Sequence, residues 1–553
     1  VARFTKNVRT APSGNTSVLT ASPKSDVPTG NGGKGFAYAE KSALFLLGVT
    51  NFTGQDTYYE SAEARDSRYV ELIRSVAKAD PEWVANFLSW LRTSGNIRTA
   101  AITGAIEYGR TVSGRAPFDS LTPRAVLRSV LQRADEPSEA LGYWLANYGK
   151  PLPKWFKRAL GDAAKALYNE KSVLKYDSQG AAIRFGDVIS LSQVDTTDSP
   201  YKAAVFAYAQ DRRYDNVDLS RYQGLTTLVD RQVMADIPRE EREAFLKDHP
   251  DAARLAGHTW ESLASWFGGE LTATFWESVI PNMGYMALIR NLRNFAKAGI
   301  SDSYAKFVAE KIADEEAVLS SRQLPLRFLS AYRAVAPQPA GYYGLRTVSE
   351  AVQPKYRKLW EPALSKALDI SLRSVPELSG DTLVMIDRSG SMSDLLSGNS
   401  TVSRYDNAVA FGLALALRAE NAVVFAYDDR SDPFTVDYSA SLLSNIQRFY
   451  KELPIAGGTR TVQVAETLLR RFRGAVNRLV IVTDEQADYY GKSLPDVVPA
   501  DVTTFTFNVA GYQAAHAPQG RGNFYAVGGL TDSAFAMMQN IEAAGFGSWP
   551  WES

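Results

Sequence analysis

The sequence predicts a multi-domain protein: an all-α array of helical repeats followed by an α/β doubly wound, Rossmann-like domain. Three observations predict it. Apolar residues recur at helical spacing through most of residues 36–372. Near Pro376 the pattern changes to short, continuous apolar runs alternating with amphipathic stretches. One of those runs ends in Asp387-Arg388-Ser389-Gly390-Ser391, a loop rich in oxygen donors. The expected organisation is an arm at 1–35, a helical-repeat array at 36–375 and the α/β domain at 376–553.

Composition narrows the function. The chain has 553 residues, no cysteine and three histidines, at His249, His258 and His516. Disulfides, thiolate zinc sites and thiol catalysis are therefore excluded, and a Ser-His-Asp hydrolase is poorly supplied. Hydrophobic content of 45% and charged content of 22% are ordinary for a globular protein. No apolar run approaches the ~18 residues of a membrane span, and residues 1–35 lack the apolar core of a secretory leader. The expected location is the cytoplasm, with no membrane partner. Net charge is zero, but residues 1–380 hold 48 Lys+Arg against 42 Asp+Glu, a balance of +6. Residues 381–553 hold 13 against 19, a balance of −6. Local asymmetry of this kind matters more to an anionic ligand than the sum.

Residues 1–35 are rich in Ser, Thr, Gly, Pro and Asn and are read as a mobile arm. In the array, residues 80–95 show the logic of each helix. Asp80 suits an N-cap and Pro81 the first helical position. Val84, Phe87, Leu88 and Leu91 follow at helical spacing, and Gly95 is expected to end the helix. Similar helices are expected at 69–79, 124–133, 153–168, 285–298, 303–319 and 324–335. Each pair would bury its apolar face against its neighbours. Beyond Pro376, strands are expected at 382–386, 422–426, 479–482 and 502–509. Helices are expected between and after them at 405–420, 440–453, 461–472 and 532–543.

In an open parallel sheet, ligands bind at the carboxyl ends of strands. Asp387 ends the strand at 382–386, and D-x-S-x-S sets one carboxylate and two hydroxyls on a single loop. Thr459 follows Gly457-Gly458 just before a helix, and Asp484 ends another strand. Asp387, Ser389, Ser391, Thr459 and Asp484 are thus five hard oxygen donors, suited to one Mg²⁺ or Mn²⁺ with water completing an octahedron. The bland alternative is that Asp387, Ser389 and Thr459 only cap loops and helices. A phosphatase of the acid-dehalogenase type needs a carboxylate where Ser389 stands, and no Walker loop is present. The chain is not expected to be an enzyme, since no nucleophile–base pair can be assembled.

This five-part constellation resembles the metal-ion-dependent adhesion site of von Willebrand factor A domains, which implies a site that binds rather than catalyses, with one position left for an acidic group of a partner. A helical array followed by such a domain resembles the TROVE-domain family, the Ro ribonucleoproteins. Several segments carry the resemblance: Phe36–Leu47 followed by Asp56-Thr57-Tyr58-Tyr59; Arg158-Ala159-Leu160 with Tyr168-Asn169-Glu170-Lys171 and Lys175-Tyr176; Asn282-Met283 through Ala287-Leu288-Ile289-Arg290-Asn291-Leu292; Leu324-Pro325 with Tyr332; and Trp360 to Ser374. The resemblance implies a monomeric ring of HEAT-like repeats that binds small structured, Y-like non-coding RNA on a basic outer surface. It also implies that single-stranded 3′ ends of misfolded RNA enter the ring, in RNA quality control or processing. A tethered 3′ exoribonuclease such as polynucleotide phosphorylase is an implied partner.

The residues themselves offer a basic cluster with interleaved aromatics. Lys154, Lys157, Arg158, Lys165, Lys171, Lys175 and Arg184 are expected to meet RNA phosphates. Trp155, Phe156, Tyr168 and Tyr176 are read as core side chains in preference to base-stacking platforms. Arg184 stands where family members have a histidine, and Asp177, Gln179, Gly180 and Ala182 depart from the family's basic pattern there, which implies a different RNA or weaker affinity. Arg98 and Arg290 either line the hole or pair with nearby acids. His258 is read as a packed core histidine. The alternative function is a metal-dependent protein-interaction module that captures an acidic partner through the α/β domain.

Overall fold

The computed structural model describes residues 21–28, 34–38, 40–49, 62–114, 121–196, 198–323, 325–336, 352–394, 402–484, 492–509, 523–528, 535, 538–542 and 549–552. The turn expected at Asp56–Tyr59 lies outside these residues, as do residues 1–20 and 29–33 of the segment 1–35 read as an arm. The described part of that segment is corrected: strands β1 (Ala21–Pro28) and β2 (Lys34–Tyr38) pair antiparallel, Ala21 opposite Tyr38 and Pro28 opposite Lys34. A backbone ladder needs no apolar periodicity, so the composition that suggested an arm did not reveal it. Among the described residues no helix is long and apolar enough to cross a membrane.

The chain divides into two compact units. One comprises residues 67–284 and 298–304; the other comprises 1–66, 285–297 and 305–553. The first unit is helical. Asp80 caps the helix Pro81–Thr93 by accepting from the Trp83 N–H at 3.0 Å, and Val84, Phe87, Leu88 and Leu91 are buried as the spacing predicts. The left-handed residue after this helix is Asn96, at φ 50°, and not Gly95. Gly95 is needed for a different reason, because a Cβ there would sit 2.8 Å from the Leu91 carbonyl oxygen. The next helix, Thr99–Val112, comes close at Gly104, where a Cβ would meet Leu88 and the Tyr69 hydroxyl. That hydroxyl donates to the Ala100 carbonyl at 2.8 Å. Buried ion pairs complete the array: Arg92 with Glu136 at 2.6 Å, and Arg184 with Asp177 at 2.9 Å.

The second unit is built on a six-stranded sheet. Its strands are β3 (Leu378–Asp387), β4 (Ala419–Tyr427), β5 (Ser431–Phe434), β6 (Arg478–Thr483), β7 (Thr503–Asn508) and β8 (Phe524–Gly528). Their order is β5-β4-β3-β6-β7-β8, parallel throughout except for the antiparallel edge strand β5. The order reverses at β3: the chain goes on to β4 on one side and returns to β6 on the other. Alternation along β3 serves two layers. Leu383 and Met385 join the core formed with Val464, Ala465 and Leu468 of helix Thr461–Arg471. Val384 and Ile386 point to the opposite face, where Gly412 lets helix Arg404–Arg418 approach so closely that a Cβ would lie 2.6 Å from Ile386. The sheet is therefore covered on both faces, as its near-continuous apolar strands require.

The helices expected at 285–298 and 303–319 are each broken. Tyr285–Arg290 and Leu292–Ala298 are separated at Asn291, whose side chain donates back to the Ala287 carbonyl at 2.8 Å. Asp302–Ile312 and Glu315–Ser320 are separated by Asp314, which caps the second by accepting from Ala317 N–H at 2.7 Å. In the sheet-containing unit Trp549 stacks on Trp551 with ring centroids 5.6 Å apart, and Trp549 lies 5.3 Å from Phe45 of helix Glu40–Val49.

Candidate cation site and basic face

The carboxyl ends of β3 and β6 lie side by side, and this is where the strand order reverses. Asp387 is the last residue of β3, and Asp484 follows Thr483, the last of β6. Both carboxylates are fully buried. The Asp387 carboxylate accepts from the Thr483 hydroxyl at 2.6 Å and from the Ser389 N–H at 2.8 Å. The Ser389 and Ser391 hydroxyls are 3.3 Å apart on the same loop. Burial pushes the Asp387 carboxyl up to about 7; the neighbouring Asp484 charge adds to this, and the Thr483 and Ser389 donors oppose it.

Arg388 anchors the loop from beneath. Its guanidinium pairs with Asp428 at 2.9 Å and also with Asp432, and its N–H donates to the Tyr427 carbonyl at 2.9 Å. The Arg388 carbonyl accepts from Ala456 N–H at 2.8 Å, and Gly390 N–H donates to the Gly457 carbonyl at 3.4 Å. These bonds join the segment carrying Thr459 to the Asp387 loop. Gly457 is at φ 67°, and a Cβ there would sit 2.9 Å from Asp428. Gly458 N–H donates to the Asp429 carboxylate at 3.1 Å. Gly-Gly before Thr459 is thus a steric requirement of the loop. The Thr459 side chain is buried.

The donor set fits a small, hard divalent cation. Two buried carboxylates adjoin, with serine hydroxyls beside them and no nitrogen or sulfur donor in the set. Among the described residues no group of three or more His, Cys, Asp or Glu side chains is placed to hold a metal ion. Sequence reasoning missed Thr483, Arg388 and Arg404. Arg404 donates to Asp484 at 3.2 Å and pairs with Asp394 at 3.1 Å. Thr483 was legible as the residue before a strand-ending aspartate, whereas Arg404 gave no sequence signal.

In the helical unit the expected RNA-binding residues sort into two groups. Lys154 and Arg158 lie one turn apart on the exposed side of helix Lys154–Leu167, and neither has a side-chain partner among the described residues. Lys171 and Lys175 are exposed on helix Glu170–Tyr176, with the Lys175 ammonium 5.0 Å from the Tyr176 ring centroid. Arg290, in the other unit, is also exposed. The remaining residues are engaged. Lys157 donates to Gln193 at 3.0 Å, and Lys165 pairs with Asp198 at 3.1 Å. Arg98 pairs with Glu139 and Asp135, which answers the open choice for that residue in favour of nearby acids.

The expectation for Arg184 is corrected. It is only 4% exposed, pairs with the buried Asp177 at 2.9 Å and donates to the Arg212 carbonyl at 3.0 Å. Asp177 also accepts from Phe185 N–H at 2.8 Å. Arg184 therefore neutralises a buried carboxylate and does not present a charge to solvent. Of the aromatics read as core, Phe156 and Tyr168 are fully buried, and Trp155 and Tyr176 only partly so. Tyr168 stacks on Phe185 at 3.9 Å, and Trp155 fills the space over Gly109. His258 is mostly enclosed, 3.2 Å from the Ser262 hydroxyl, and burial pushes its pKa down to about 3, with Arg231 adding to the effect.

The molecule thus joins a helical array to a doubly wound domain that carries an oxygen-rich site at its switch point. Among proteins of this kind, the TROVE domain model matches residues 108–340 of the chain. The chain is similar to the solved structure of the Deinococcus radiodurans RO (RSR) protein, with a TM-score of 0.68 and 16% identity, over 92% of this chain and 100% of that one. That likeness shows a shared fold. Short stretches also resemble telomerase protein component 1: 38% identity over 79 residues for Mus musculus and 40% over 76 for Rattus norvegicus. These matches span 14% and 13% of this chain and 3% of each relative.

Proposed function

We propose that the chain is a non-enzymatic, RNA-binding scaffold of the Ro type. In this reading it holds a structured, Y-like non-coding RNA on its basic face and takes single-stranded 3′ ends of misfolded RNA, with a role in RNA quality control or processing. The observation that carries the reading is that Lys154, Arg158, Lys171 and Lys175 stand exposed within the stretch that matches the TROVE domain. Cations left unneutralised by acids are the ones that can displace counterions from phosphates. A 3′ exoribonuclease such as polynucleotide phosphorylase is a partner for such a scaffold.

The carboxyl-edge site belongs to the same reading. Asp387, Ser389, Ser391, Thr459 and Asp484 would hold one Mg²⁺ or Mn²⁺ as a metal-ion-dependent adhesion site of the von Willebrand A type. The buried carboxylate pair supports this, because two adjoining carboxylates at that depth are costly unless a cation is close to both. When bound, the ion supplies a Lewis-acidic position for an acidic group of a partner. That pair also favours a second reading, in which metal-dependent protein binding is the main activity and the helical array is passive.

The test is a titration of the full chain with a hairpin RNA carrying a short 3′ tail, beside a blunt duplex and a DNA hairpin, at two salt concentrations. Tail-dependent, salt-sensitive binding that Asp387→Ala leaves intact supports the scaffold. Weak binding that ignores the tail leaves the metal-dependent protein-binding reading in front.

A further inference from the structure

Arg404 is the first residue of helix Arg404–Arg418, and its guanidinium lies against the carboxyl-edge site. A single nitrogen, Nη1, is 3.2 Å from Asp484 Oδ2, 3.1 Å from Asp394 Oδ2 and 3.4 Å from the Ser391 carbonyl oxygen. The two acids differ in kind. Asp484 is fully buried and is one of the expected ion ligands, whereas the Asp394 side chain is 61% exposed and lies beyond the five-residue set. The guanidinium itself is largely enclosed, 12% exposed. The Arg404 N–H also donates to the Asp394 carbonyl at 2.8 Å, and Ser403 and Asp406 form a capping box at this helix start. The backbone is thereby fixed, and the side chain reaches both carboxylates from one position.

We infer that Arg404 is a tethered cation that competes with the divalent ion for Asp484, and that Asp394 is the acceptor that draws it away when the ion enters. This rests on the reading of the five residues as a cation site. A guanidinium at hydrogen-bond distance already neutralises part of the Asp484 charge, and it repels a dication placed on the same carboxylate. The site is consequently tuned to weak affinity, with the ion held firmly only while the guanidinium is engaged elsewhere.

Two substitutions of opposite sign test the inference in the full chain. Mn²⁺ binding is followed by loss of the free-ion resonance in electron paramagnetic spectra, at low salt. Arg404→Gln is expected to tighten Mn²⁺ binding about tenfold, and Arg404→Lys to stay near wild type. Asp394→Asn is expected to weaken binding several-fold, because the guanidinium then remains on Asp484. Unchanged or weaker binding by Arg404→Gln, with unaltered thermal unfolding, would overturn the inference and make Arg404 part of the scaffold of the site. Asp387→Ala tests the site itself. If wild type and Asp387→Ala bind Mn²⁺ alike, the site reading falls and takes this inference with it.

Discussion

Arg158 and Arg184 are both basic residues of one short segment, and burial gives them opposite roles. Arg184→Ala leaves Asp177 as a buried carboxylate short of its main partner, and stability is expected to fall by about 3–5 kcal/mol. Arg158→Glu changes an exposed side chain, and stability is expected to move by less than about 0.5 kcal/mol while RNA affinity falls. Chemical denaturation alongside RNA titration of both variants checks the contrast; a stable Arg184→Ala protein that no longer binds RNA would reverse it. His258 supplies a pH dependence. Its folded pKa of about 3 lies below the ordinary 6.5, so the unfolded chain binds the extra proton first. The associated stability is intact above pH 6.5 and is lost as pH falls toward 3, at no more than about 1.4 kcal/mol per pH unit. His258→Gln is expected to flatten the acid limb of unfolding; superimposable limbs would contradict this. Spacing alone could not separate Arg158 from Arg184, because their difference lies in which carboxylates the fold brings to each, and Asp177 reaches Arg184 through the start of the following helix.

Among the elements, the D-x-S-x-S loop was legible because a strand of five apolar residues stops at Asp387 and a glycine follows. The Gly-Gly-Thr segment was legible for a related reason, since only glycine tolerates the close approach of Asp428 at Gly457. Gly457→Ala is expected to shift this loop, weakening Mn²⁺ binding at a stability cost of about 1 kcal/mol or more. Calorimetry of the variant with and without Mn²⁺ checks it, and wild-type affinity would show the loop to be indifferent. The missed strands are those at the sheet edges. Strand β5 has four residues and carries Pro433, which only an edge strand tolerates, and β8 pairs on one side alone. The breaks at Asn291 and Asp314 were missed because a single polar residue, buried at Asn291 and exposed at Asp314, leaves the apolar spacing of each stretch intact. The pairing of β1 with β2 left no periodic signal at all.

For the molecule as a whole, the two-part architecture was written in the change of hydrophobic period near Pro376, and the likeness to the Deinococcus radiodurans RO protein extends over most of the chain. Compactness draws the division elsewhere: residues 305–335 and 354–371 are helical for the most part, yet they group with the sheet. Sequence periodicity reports the type of element and not which elements share a core, so this grouping was beyond its reach. The charge asymmetry between residues 1–380 and 381–553 is likewise a whole-chain property, and it accords with the proposed division between an RNA-binding helical part and a cation site at the sheet.

If exposed, unneutralised cations within the TROVE-matched stretch bind RNA phosphates, removing them must change how affinity responds to salt. The decisive experiment is the salt dependence of hairpin-RNA affinity for wild type and for Lys154→Glu, Arg158→Glu, Lys171→Glu and Lys175→Glu combined. Affinity is expected to be weaker at every salt concentration, with a log–log slope shallower by about one for each phosphate no longer neutralised. An unchanged slope and affinity in the folded variant would contradict RNA binding by this face.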